Sequence, residues 1–143
     1  MSSVEEVSGL GNNQAHFKYD FSKIFLRNNL SKKVNIAASG EDLTLEPGDL
    51  IGVVGSTYQV FKSGTANITV AGVLMEYATI TDGNNADLNI CIAGEIAEEK
   101  VNLDGSDTLA TVVSNRTIED KIQGETVGIK LVSTDTLVTT DNE

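Results

Sequence analysis

The chain reads as a mainly β domain, a small sandwich or barrel with one short helix, preceded by an extended N-terminal arm. Three observations predict it. Fourteen Val, 14 Thr and 11 Ile make up more than a quarter of the 143 residues, and such side chains, stiff at χ1, suit a pleated sheet better than a helix. Thirteen glycines and 12 asparagines punctuate them, as turns needing positive φ require. From Val34 onward, short apolar runs alternate with turn signals at the spacing of an all-β domain.

Residues 1–33 form the predicted arm and 34–143 the β-rich body. Met1 to Gln14 has almost no periodic apolar content and reads as a tail. Phe17 to Lys33 differs from everything after it. It holds four of the seven aromatics (Phe17, Tyr19, Phe21, Phe25) and five of the ten basic residues (Lys18, Lys23, Arg27, Lys32, Lys33), with one acid, Asp20. The rest of the chain carries five basic and 20 acidic side chains. Phe17, Tyr19 and Phe21 alternate like a strand, while Phe17, Phe21, Ile24 and Phe25 fit a helix face equally well. Interleaved aromatics and cations are the composition of a binding surface. A first strand packed on the core is the plainer alternative.

In the body, the predicted strands are Val34 to Ala38, Leu43 to Leu45, Leu50 to Val54, Tyr58 to Phe61 and Asn67 to Val70. Glu46-Pro47-Gly48-Asp49 is a turn, with proline presetting the first central position and glycine supplying positive φ at the second. Gly72 to Thr81 and Asp87 to Ala93 flank Asp82-Gly83-Asn84-Asn85, a suitable hairpin connection. Within the later strand, Leu88, Ile90 and Ile92 share one face. Only one stretch looks helical: Ile118 and Ile122 lie one turn apart, Ser114 or Asn115 is placed to cap the start, and Gly124 suits the stop. Thr126 to Ser133 alternates again.

Composition excludes several functions. The net charge of −11 and a pI near 4.4 argue against nucleic acid as the main partner, since Lys and Arg drive phosphate binding. One cysteine excludes an intramolecular disulfide, and one histidine excludes sites needing two imidazoles. No apolar run approaches the roughly 18 residues of a membrane span, and MSSVEEVSGLGNNQ lacks the basic and apolar regions of a leader. Asp82 to Asp87 is similar to a calcium loop but has Ala86 and Asp87 where a ligand and the turn glycine belong. Glu95, Glu98 and Glu99 sit beside Lys100 in a polar stretch and read as solvated. Cys91 reads as a small core residue, and His16 as incidental to the tail. There is no G-x-S-x-G and no glycine-rich phosphate loop. The expectation is a protein that is not an enzyme and has no cofactor or metal.

Pro47-Gly48-Asp49-Leu50, Ala71-Gly72-Val73-Leu74 and Ile92-Ala93-Gly94-Glu95-Ile96 together resemble the small head decoration (capsid cement) proteins of tailed bacteriophages. The resemblance covers roughly residues 34–103, with 104–143 extending beyond the smallest members. It implies a β-tulip or related small β-barrel, and a structural virion protein on the outer surface of the capsid. It also implies a homotrimer at three-fold sites that binds the major capsid protein and stabilises the shell, with neither nucleic acid nor membrane as partner. The arm would add to capsid strands, with Phe17, Lys18, Tyr19, Phe21, Lys23, Phe25 and Arg27 as the capsid-binding residues. The alternative is a head-fibre or receptor- or carbohydrate-binding module of a phage particle.

Overall fold

In the computed structural model, which describes residues 24–133, five strands close into a barrel with a second core packed outside it. The elements in order are β1 (Phe25–Ala37), β2 (Leu43–Leu45), β3 (Leu50–Val54), β4 (Thr57–Val60), β5 (Thr69–Leu74), β6 (Ala78–Ile80) and β7 (Asn85–Ala97). A 3-10 turn (Glu98–Lys100), β8 (Val112–Val113), β9 (Arg116–Thr117), the helix α1 (Ile118–Glu125) and β10 (Gly128–Val132) follow. The main sheet runs β1-β4-β3-β5-β7-β10, and a further pairing of β1 with β7 closes the first five. The mainly β fold with one helix expected from the composition is therefore what forms.

Strand alternation sorts the apolar residues into two cores. Val34 and Ile36 of β1, Ile51 of β3, Leu74 of β5, and Leu88 and Ile90 of β7 pack together inside the barrel, joined by Leu45 and Ile80 from the separate β2–β6 pair. The opposite faces of the same strands present Leu50, Val73, Cys91 and Ile96 to Ile118 and Ile122 of α1 and to Ile129 and Leu131 of β10. A sheet covered on both faces needs consecutive apolar residues rather than clean alternation. That is why Leu50 and Ile51 are neighbours and both buried.

The turn at Glu46–Asp49 forms as its sequence requires: Asp49 N–H donates to Glu46 O at 3.2 Å and Gly48 has φ of 102°. Other local expectations are corrected. Gly72 to Thr81 is two strands, not one, and β6 pairs with β2 rather than with β7 across the Asp82–Asn85 turn. Near that break the Glu76 carboxylate accepts the Asn89 N–H at 2.6 Å. Ser114 and Asn115 do not cap the helix. With φ of 53° and 69° they form the two-residue connection between β8 and β9, a backbone shape that matches hairpin twist. Thr117 is the cap instead, its Oγ1 accepting the Asp120 N–H at 3.1 Å. Gly124 lies inside the last turn rather than ending it, and Thr126 takes over as C-cap.

The largest difference lies at the expected arm–body boundary. Strand β1 runs straight through Lys33–Val34 and makes ten register pairs with β7, from Phe25↔Ile96 to Ala37↔Asn85. Residues 25–33 are thus the first half of the barrel's longest seam. Opposite Gly94 the pairing is bulged: Asn28 has φ of 57° and Gly94 φ of 108°. A Cβ on Gly94 would lie 2.6 Å from Asn28 O and 2.8 Å from Arg27 O, both backbone atoms. Gly94→Ala should therefore lower stability by roughly 2 kcal/mol or more, through both strain and crowding. Chemical denaturation of the variant checks this; an unchanged midpoint would show that the bulge gives way freely.

Candidate functional site

The feature that stands out is the first half of β1. Between Phe25 and Lys33 one edge of the strand pairs with β7, while its pairing with β4 is confined to Ile36↔Tyr58. Among the described residues, no strand pairs with the other edge of residues 26–33. An unpaired edge offers a row of N–H and C=O groups to another extended chain. Along it lie Arg27, Leu30, Lys32 and Lys33, all exposed, Leu30 at 59 %. By contrast, the edge of β10 is blunted by helix-side groups: Ile129 N–H donates to Thr126 Oγ1 at 3.1 Å and Leu131 N–H to Gln123 Oε1 at 3.0 Å.

Electrostatics mark the same stretch. Arg27 meets Glu95 at 3.4 Å with 70 % of its side chain exposed, a pair worth little in water. Lys130 of β10 registers with Glu95 from the other side, giving a cross-strand row of cation, anion, cation. Lys32 continues the inward-facing set of Val34 and Ile36, and its Nζ lies 5.7 Å from the Tyr58 ring centre and 3.2 Å from the Tyr58 hydroxyl. A cation held over an aromatic ring keeps its charge at the surface while its stem covers apolar atoms.

Of the residues expected to bind a partner, Phe17, Lys18, Tyr19, Phe21 and Lys23 lie outside the described residues. Arg27 is exposed on β1. Phe25 is not available: it is 6 % exposed and packs in the outer core of its own chain. Here the first-strand alternative describes Phe25 better than the arm does. Lys32 and Lys33, two of the five cations that mark the segment as a binding surface, lie on the same stretch of β1. Leu30 is the residue that composition does not point to, and its only sequence signal is that it interrupts an otherwise polar run.

The other candidates have structural placements. Asp82 Oδ1 accepts the Gly40 N–H at 2.8 Å and its own N–H donates to Asp42 Oδ1 at 2.8 Å, tying two loops together. Asp87 accepts from Asn35 Nδ2 at 2.9 Å. Among the described residues, no group of three His, Cys, Asp or Glu is placed to hold a metal. Cys91 is buried, and that burial pushes its thiol pKa up, against smaller opposing contributions from hydrogen bonds to Asn29, Ala93 and Leu30. A thiol held protonated is a poor nucleophile. Comparison with protein-family models, with curated proteins and with solved structures finds no match.

Proposed function

We propose that the chain is a structural virion protein of a tailed phage that binds the outer surface of the capsid as a homotrimer and stabilises the shell. One observation carries this proposal beyond the sequence resemblance. The unpaired edge of β1 is basic, through Arg27, Lys32 and Lys33, on a body that is otherwise strongly acidic. In sequence it follows the basic, aromatic residues 17–23. An edge of this kind suits an extended, acidic strand of a shell protein, with backbone hydrogen bonds giving affinity and the cations giving orientation. The acidic remainder should not adhere to packaged DNA, consistent with an outer location. Three linked edges would bind at high effective concentration once the first engages. Phe25 drops out of the binding set, which becomes Arg27, Leu30, Lys32 and Lys33 with residues 17–23.

Light scattering tests the assembly, with a mass of about three times 15.2 kDa expected. Binding to purified mature shells, set against binding to host cells and glycans, tests the partner. Attachment to cells or glycans with none to shells would overturn the capsid assignment in favour of a receptor-binding module.

A further inference from the structure

The seam between β1 and β7 is uneven along its length. From Ser31 to Ala37 every residue pairs in turn, with partners running from Cys91 back to Asn85. From Phe25 to Leu30 only three residues pair, Phe25, Arg27 and Leu30, and the register shifts after each of them. Asn28, between two of these rungs, has a left-handed φ of 57°. The eight residues between the buried Phe25 and the buried Val34 include no buried side chain. Sparse burial and sparse pairing mark a segment that opens at a cost well below that of global unfolding.

What this segment covers is specific. Asn29 Nδ2 donates to Glu95 O at 3.1 Å and to Cys91 Sγ at 3.5 Å, and the Leu30 backbone also bonds the thiol. Cys91 itself has no exposed surface. On its other side it pairs with Val73 of β5 and belongs to the outer core with Ile118 of α1. We infer that residues 26–30 form a strap that opens and recloses on β7 while the barrel stays folded, with the Asn29 amide as its latch and the Cys91 thiol beneath it. The buried ring of Phe25 anchors one end, and the regular ladder from Ser31 anchors the other. A strand seated on the free edge of 26–33 would hold the strap shut, a consequence that rests on the capsid proposal.

Labelling of the full chain with an aromatic disulfide reagent, followed against urea concentration below the unfolding transition, tests the strap. Cys91 is the chain's one thiol, so the signal has a single source. The rate should be nearly independent of urea at low concentration, because a small opening exposes little surface, and should climb only where global unfolding takes over. Asn29→Ala should raise the low-urea rate about tenfold, since it removes the latch. Ile118→Val loosens the core on the other side of Cys91, and should lower the urea midpoint while leaving the low-urea rate unchanged. A rate that follows global unfolding at every urea concentration would overturn the inference. So would a low-urea rate that Asn29→Ala leaves unchanged or that Ile118→Val raises severalfold. No shell enters the measurement, so its failure and that of the capsid proposal stay apart.

Discussion

Glu125→Ala is expected to destabilise the fold by about 3–5 kcal/mol, the largest effect of any single side chain in the account. Lys121 sits on α1 with 4 % of its side chain exposed, and its Nζ donates to Glu125 Oε2 at 2.8 Å. The same carboxylate accepts the Val70 N–H of β5 at 2.8 Å through Oε1 and faces Arg116 at 3.6 Å. Glu125 therefore joins helix to sheet and compensates a buried ammonium. Removing it strands the ammonium in an apolar layer and leaves the Val70 N–H without that acceptor, and each costs more than the bond itself returned. A Lys121→Met/Glu125→Leu double variant should recover much of the loss, because an apolar pair of similar volume has no charge to desolvate. Denaturant titration of both variants checks the claim. A single variant within about 1 kcal/mol of the parent would show that Lys121 reaches water when unpaired.

Truncation should separate arm from barrel at a different place from the one the composition suggests. Deleting residues 1–23 should leave the thermal transition in place, since β1 stays whole. Deleting 1–33 removes six of the ten register pairs with β7 and the buried ring of Phe25. Loss of a buried Phe side chain alone costs about 3–5 kcal/mol, a large share of the roughly 5–15 kcal/mol that holds a domain together. The 34–143 fragment should therefore show no cooperative melting, although composition alone marks it as a self-sufficient body. A sharp transition in that fragment would mean that the first half of β1 is dispensable to the barrel.

Most of the body was legible because its signals are local. Pro47-Gly48 dictates a turn wherever it is placed, and runs such as Leu50 to Val54 have few places to go but a sheet. What was missed depends on partners distant in sequence. The strand from Phe25 to Lys33 is polar along most of its length, so its membership in the barrel rests on β7, more than 50 residues away, and on the Gly94 bulge that receives Asn28. Ser114 and Asn115 offered good capping chemistry, but the same side chains tolerate left-handed backbone, and the hairpin took them. Glu125 gave no sequence signal beyond its four-residue spacing from Lys121, because the burial of that pair is made by β5 and α1 together. For the site, charge and aromatic content located the segment, while only the sheet order revealed that one edge of it is unpaired.

The measurement that bears most directly on the capsid proposal is co-sedimentation of the full chain with purified mature shells encoded by the same genome, read as occupancy against protein concentration. Saturable binding at moderate salt is expected. An Arg27→Gln/Lys33→Glu variant should bind about tenfold more weakly, about 1.4 kcal/mol, with its melting temperature nearly unchanged, because both side chains are exposed and glutamine sets no like charge opposite Glu95. Shells that pellet without the full chain, or that take up this variant as readily as the parent, would contradict the proposal.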